Sequence, residues 1–175
     1  MKARNRCFLV VDDSVADQVL IVRALKEVFP HEIHCVSSAN EAIRYLNGEG
    51  EFTDRAKYAY PTLIMTDLKM PEGTGFDLLH NLKSNPLWVI IPTVVLSASS
   101  DPDDIKKCYE LGASCYLTKP SGYPELKVLM RKLVEFWDVC DVPEIDVSGK
   151  ILATESKGKL GEGFPSPVEG ARKRH

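Results

Sequence analysis

The sequence predicts an α/β protein, a doubly wound sandwich in which five parallel strands alternate with five helices. Short apolar runs rich in β-branched residues, at 7–11, 63–66, 93–96 and 114–117, are separated by stretches of helical periodicity. That is the pattern of strands buried on both faces. Polar residues close each of these runs: Asp12-Asp13, then Asp67, then Ser97, then Thr118-Lys119-Pro120. Open parallel sheets bind ligands beyond the carboxyl ends of their strands. Three carboxylates, a hydroxyl and an amine are therefore expected on one edge.

The elements follow in order. Ser14 caps a first helix reaching to about residue 29, with Ile21, Ala24, Leu25 and Val28 as its apolar stripe and Pro30 as its stop. A second strand at 33–36 precedes a short helix at 40–46, closed by Asn47-Gly48. Residues 49–61 read as a long polar loop carrying Phe52, Tyr58 and Tyr60, and loops of that length are often functional. After the third strand, a turn at 70–75 leads into a helix bearing Leu78, Leu79 and Leu82. Pro92 opens the fourth strand, Ser100 or Asp101 with Pro102 starts the next helix, and Gly112 ends it. The fifth strand is followed by a helix at 124–139 in which Leu126, Leu129, Met130, Leu133 and Trp137 recur at helical spacing. One domain is thus expected over residues 6–143. Residues 144–175, rich in Gly, Lys, Ser, Pro and Glu and ending Arg-Lys-Arg-His, are expected as a flexible polar tail.

Bulk properties narrow the function. The 175 residues, 44% of them hydrophobic, suffice for one substantial core, and a net charge of −3 does not point to DNA or other nucleic acid. No run is apolar enough to span a membrane, and the basic N-terminus lacks the small-residue pattern of a cleaved signal. Five unclustered cysteines without CxxC spacing argue against a disulfide framework or a cysteine metal site; reduced thiols in a cytoplasmic protein are expected, those of the strands acting as small hydrophobes.

The strand ends carry the chemistry. Asp12, Asp13 and Asp67 repel one another when ionised, so bringing them together calls for a hard cation. Oxygen-only ligation with room for water and phosphate suits Mg²⁺. One carboxylate then remains as nucleophile toward phosphorus, and Asp67, on a central strand, is the best placed. Ser97 and Lys119 are positioned to hold the transferred group's oxygens, one by hydroxyl donation and one as a cation. Taken singly, each residue has a bland reading, as a helix cap, a strand-end cap or a turn. Their joint order at successive strand ends is what favours the site.

These residues resemble the receiver domain of two-component response regulators. The resemblance rests on Phe8-Leu-Val-Val-Asp-Asp13, Thr66-Asp-Leu-Lys-Met-Pro71, Thr93-Val-Val-Leu-Ser97 and Tyr116-Leu-Thr-Lys-Pro120, within a match spanning about residues 6–139. It implies a flavodoxin-like sheet of order 2-1-3-4-5. It also implies that Asp67 is phosphorylated by a sensor histidine kinase, with Mg²⁺ on Asp13, Asp67 and the main-chain carbonyl of Lys69, and Asp12 supporting. Ser97 would be the switching hydroxyl, Tyr116 the aromatic switch and Lys119 the phosphate-contacting lysine. The loop at 48–61, Cys108-Tyr-Glu-Leu-Gly-Ala-Ser-Cys-Tyr116 and Glu135-Phe-Trp137 with Val142-Pro143 are similar to single-domain regulators associated with bacterial phytochromes. Two departures stand out: Thr74-Gly75 replaces the usual Asp-Gly, and Lys69 puts a cation two residues past the nucleophile, where it bears on phosphate lifetime.

Competing classes are an aspartyl-nucleophile phosphohydrolase and a phosphorylation-independent adaptor. Hydrolases resembling the haloacid dehalogenases carry a second acid two residues after the nucleophile, where this chain has Lys69, and the full set of site residues disfavours an adaptor. The segment after Val142 is too short for a DNA-binding unit, so the output is expected as contact with a downstream protein. Val128, Val134, Phe136 and Trp137, followed by Val139, Val142 and Pro143, predict an apolar patch and a homodimer through the fourth helix, fifth strand and fifth helix. Fold-back of the Val142-Pro143 segment over that patch is the competing expectation.

Overall fold

The computed structural model describes residues 6–152. Strands β1 (Cys7–Val11), β2 (Glu32–Val36), β3 (Leu63–Thr66), β4 (Thr93–Ser97) and β5 (Cys115–Thr118) form one sheet in the order β2-β1-β3-β4-β5. All four pairings are parallel. The connecting helices are α1 (Val15–Lys26), α2 (Ala39–Asn47), α3 (Gly75–Ser84), α4 (Pro102–Glu110) and α5 (Tyr123–Val139). The fold is the flavodoxin-like one expected.

Side-chain alternation along β1 divides the core. Phe8 and Val10 face α1 and α5, meeting Ile21, Leu25, Met130 and Leu133. Leu9 and Val11 face the other layer, meeting Ala42, Tyr45 and Leu46 of α2 and Leu78 and Leu82 of α3. Cys108 of α4 packs with Leu68, Leu79 and Val95. Successive strand residues point to opposite faces, so a strand covered on both sides must be apolar throughout. β1 is buried at all five positions.

Helix ends match their sequence signals. Ser14 accepts from Asp17 N at 3.2 Å, Asp101 from Asp103 N at 2.9 Å, and Gly48 closes α2 at φ 69°. α1 ends at Lys26, three residues early, yet Phe29 N–H still reaches the Leu25 carbonyl at 2.7 Å and the ring enters the core. The 49–61 loop is less free than its polarity suggests. It holds a 3-10 turn, and the Arg55 guanidinium donates to the carbonyls of Tyr45, Leu46 and Tyr58, tying the loop to the end of α2.

Three expectations need correction. Val134 and Val142 are buried and Trp137 half-buried, because α5 turns them onto the sheet and residues 140–143 fold back; only Val128, Phe136 and Val139 of the expected patch stay exposed. Cys35 is exposed rather than a small core hydrophobe, lying on the edge strand β2. Residues 144–152 are an antiparallel hairpin, β6 (Glu144–Ile145) and β7 (Ile151–Leu152), turned at Asp146 and Gly149. The remainder of the expected tail, 153–175, lies outside the described residues.

Candidate functional site

The site is assembled at the carboxyl ends of β1, β3, β4 and β5. Asp12 extends β1, its N–H donating to the Val36 carbonyl at 3.1 Å, and is only 2% exposed. Its carboxylate accepts from Ser14 N at 2.9 Å, while Gln18 Nε2 bonds the Asp12 and Val36 carbonyls at 2.6 and 3.2 Å. These bonds fix the β1–α1 turn. Asp13 follows, exposed to solvent.

Asp67 leaves β3 with its N–H on the Val11 carbonyl at 2.9 Å and its carboxylate accepting from Leu68 N at 2.7 Å. The next turn packs tightly against it. Gly75 opens α3, its N–H bonded to the Leu68 carbonyl at 2.9 Å, and a Cβ there would lie 2.3 Å from the Asp67 carbonyl oxygen. Thr74 caps α3 in a reciprocal box with Asp77, so the departure from the family's Asp-Gly costs no cap. Lys69 stands exposed on the same turn.

Lys119 joins these carboxylates. Its Nζ donates to Asp12 at 2.7 Å and to Asp17 at 2.7 Å, and lies 3.4 Å from Asp67. Its backbone N–H holds the Ser97 carbonyl at 2.8 Å, which sets the side chain over the sheet edge. Burial opposes the lysine's charge, but the bonds to Asp12 and Asp17 and the charges of Asp12 and Asp67 outweigh it and hold the pKa above the ordinary value. For Asp12, burial dominates and raises the carboxyl pKa, against Lys119 and the Ser14 amide, with Asp67 adding to the rise.

Carboxylate oxygens of Asp12, Asp13 and Asp67 lie within 4.8 Å of one another. An all-oxygen set with one exposed member fits a hard divalent cation that keeps several waters. A cation there would also relieve the burial of Asp12.

Asp12, Asp13, Asp67 and Lys119 are thus brought together as the sequence predicts. Ser97 touches this group only through its main chain, on the Lys119 N–H, and the Ser97 and Tyr116 hydroxyls bond to Ser99 instead. Ser97 is 1% exposed and its hydroxyl accepts from Ser99 N at 3.3 Å. Tyr116 is half-buried, its hydroxyl donating to the Ser99 carbonyl at 2.8 Å. Both residues therefore meet in the β4–α4 loop. Asp17 was not anticipated. Ser14-Val-Ala-Asp17 reads as an N-terminal helix signature, and its acid would ordinarily be assigned to the helix dipole.

Residues 8–131 match the response regulator receiver domain family. The chain is 34% identical over 133 residues to response regulator Rcp1 of Synechocystis sp., covering 75% of this chain and 88% of the relative. It is 35% identical over 129 residues to two-component response regulator ARR5 of Arabidopsis thaliana, covering 73% of this chain and 70% of the relative. Among solved structures, the phosphorylated cyanobacterial phytochrome response regulator RcpA superposes with TM-score 0.74 at 36% identity, over 80% of this chain and 99% of RcpA. The Mn²⁺-bound form of Rcp1 superposes with TM-score 0.71 at 33% identity, over 79% of this chain and 99% of Rcp1.

Proposed function

Because the chain belongs to the response regulator receiver domain family, a family of signalling domains, we propose that Asp67 is its phosphoacceptor, phosphorylated by a sensor histidine kinase. The observation that carries this reading is Lys119 Nζ set between Asp12 and Asp67, with the Asp13 carboxylate beside them on one sheet edge. A carboxylate oxygen of Asp67 attacks phosphorus. The P–N bond of the kinase phosphohistidine breaks, the imidazole leaves with the electron pair, and an acyl phosphate forms on Asp67. Later attack of water on phosphorus releases inorganic phosphate and restores the carboxylate.

Mg²⁺ held by Asp13, Asp67 and the Lys69 carbonyl, with Asp12 in support, would neutralise charge on the phosphoryl oxygens. The Mn²⁺-bound form of the similar Rcp1 supports divalent-ion binding by this chain. Lys119 exchanges a carboxylate contact for the phosphoryl group. Ser97 swings toward the same oxygens and Tyr116 follows into the space left in the β4–α4 loop, changing the face made by α4, β5 and α5.

That face is where a downstream protein, or a second copy of the chain, is expected to dock. Tyr109, Val128 and Phe136 are each more than half exposed. Similarity to RcpA and Rcp1 supports a phytochrome-type kinase as the partner. No helix among the described residues is long and apolar enough to cross a membrane, in keeping with a cytoplasmic location. The receiver unit extends over residues 6–143.

Acetyl phosphate with Mg²⁺ tests the assignment. One hydroxylamine-labile phosphoryl group should appear by mass spectrometry, and Asp67→Asn should abolish it. Uptake at the parent rate in that variant would show that Asp67 is not the acceptor.

A further inference from the structure

Far from the carboxylates, at the other end of β1, three residues of ligand type meet. Cys7 starts β1 and pairs in register with Glu32 on β2. His34 lies two residues farther along β2 and shares the face of Glu32. The Cys7 sulfur, a Glu32 carboxylate oxygen and a His34 ring nitrogen are all within 4.8 Å of one another.

The Cys7 thiol has weak contacts with the Phe8 carbonyl and the Tyr45 hydroxyl, each at 3.8 Å, but the imidazole is left unsatisfied. His34 Nε2 is buried without a hydrogen-bond partner, 3.6 Å from Glu32 Oε2. That distance is too long for a hydrogen bond. The ring is held between Tyr45 and Tyr58, with centroids at 5.7 and 5.3 Å. The Tyr45 hydroxyl, 3.8 Å from the Cys7 sulfur, donates to the Ala59 carbonyl at 2.8 Å and leaves the imidazole untouched. A purely packing histidine would strand a buried nitrogen, which native interiors rarely do. A metal ion would use that lone pair.

We propose that Cys7, Glu32 and His34 form a second metal site, selective for a borderline-soft transition ion, Zn²⁺ foremost, with the remaining position left to water. The donor set decides the ion. Thiolate, imidazole and a single carboxylate suit tetrahedral Zn²⁺, whereas Mg²⁺ takes oxygen and belongs with Asp12, Asp13 and Asp67. Bond lengths of about 2.0–2.3 Å put tetrahedral ligands roughly 3.3–3.8 Å apart; His34 and Glu32 are already at that spacing, and the sulfur must close by at most about 1 Å. The edge position of β2 permits this, and the Glu32 side chain, 45% exposed, can swing and leaves a route in from solvent. Without an ion, burial pushes the Cys7 thiol up to about 12, so it is protonated. Binding transfers that proton to solvent and leaves a sulfur–metal bond. Cys7 and Asp12 are five residues apart along β1 and its extension, roughly 17 Å at strand rise, so the two sites do not share ligands.

Titration of the full chain with Co²⁺, in excess Mg²⁺ and a non-thiol reductant, tests the site. One equivalent of Co²⁺ should bring a near-ultraviolet sulfur-to-cobalt band with visible bands of tetrahedral coordination, both removed by Zn²⁺. Cys7→Ser should abolish the ultraviolet band. His34→Gln should weaken binding by more than the ~10–100-fold typical of lost outer-shell partners. Cys35→Ser and Asp67→Asn should bind as the parent does, which separates this site from the phosphoacceptor. Absence of the band in the parent, its persistence in Cys7→Ser, or parental affinity in His34→Gln would overturn the proposal. His34 sits on the half-buried sheet edge, so His34→Gln decides the matter if the buried Cys7→Ser variant does not fold.

Discussion

Replacing Gly75 by alanine puts a methyl group into the backbone of the phosphoacceptor turn. The added Cβ would lie 2.3 Å from the Asp67 carbonyl oxygen, 2.9 Å from Leu68 Cα and 3.1 Å from the Asp67 carbonyl carbon. None of these atoms belongs to a flexible side chain. Real Cβ atoms essentially never approach within 3.0 Å, so the start of α3 or the Asp67 turn must give way by roughly 0.7 Å. The bonds from Gly75 N to the Leu68 carbonyl and from Asp67 N to the Val11 carbonyl, each 2.9 Å, resist that movement. Overpacking of this kind costs about 1–3 kcal/mol, offset by up to ~1 kcal/mol from the better helix propensity of alanine. A net loss in the middle of the resulting range, about 1–2 kcal/mol, lowers the melting temperature by roughly 2–8 °C in a chain of this size. Displacement near 1 Å at a reacting carboxylate costs up to ~100-fold in rate. Circular-dichroism melting and phosphoryl uptake from acetyl phosphate read the two effects. Thr74→Ala is the control: it loses a cap worth ~1 kcal/mol but leaves Asp67 in place. A Gly75→Ala protein melting at or above the parent temperature, with parental uptake, would refute the claim that the close approach constrains Asp67.

Other perturbations have equally defined outcomes. Lys119→Met should destabilise the fold in EDTA by about 2–4 kcal/mol, since Asp12, Asp17 and Asp67 lose their shared cation, and should tighten divalent-cation binding measured by calorimetry. A divalent ion at a hundred times its Kd should add ~2.7 kcal/mol to parental stability, and Asp13→Asn should lose most of that gain in thermal melts. Alkaline pH should destabilise the protein. Burial pushes the Cys108 thiol from 9.0 up to about 11, so the native state keeps a proton that the unfolded chain loses, and stability falls across that window. Cys108→Ala should flatten the decline in denaturant titrations between about pH 9 and 11. Phe136→Glu should reduce any dimer seen by sedimentation while leaving phosphoryl uptake intact.

Legibility in the sequence tracked the kind of force involved. The sheet and its flanking helices were readable because each strand buried on two faces must be an apolar run, and because Ser14, Gly48, Asp101 and Gly112 mark helix ends locally. The carboxylates were readable because strand ends fix where Asp12, Asp13 and Asp67 must go. Asp17 was not, since its partner Lys119 lies 102 positions away and its own neighbourhood reads as a helix cap. The apolar stripe of α5 gave its length but not which flank faces the sheet, so Val134 was assigned to solvent when it is 3% exposed. The hairpin at 144–152 was missed because a pairing of four residues leaves almost no periodicity.

That hairpin decides where the polypeptide can be cut. Two strands of two residues each cannot persist alone in water. Its turn is stitched by the Asp146 carboxylate, which accepts from the N–H groups of Ser148 and Lys150 and from the Ser148 hydroxyl. Ile145, like Tyr58, Tyr60, Leu87 and Ile90, is packed against the cluster that contains Tyr45, Phe52 and Trp88. Gly149 rides over the same ground, with Tyr60 and Leu87 atoms 3.7 and 3.8 Å from where its Cβ would be. A chain shortened after Pro143, where hydrophobic periodicity ends, would strip this cover from the aromatic loop and leave its underside wet and sticky. One shortened after Leu152 would keep it. Solubility and protease resistance of the two truncations should therefore differ, although neither cut touches a strand of the main sheet.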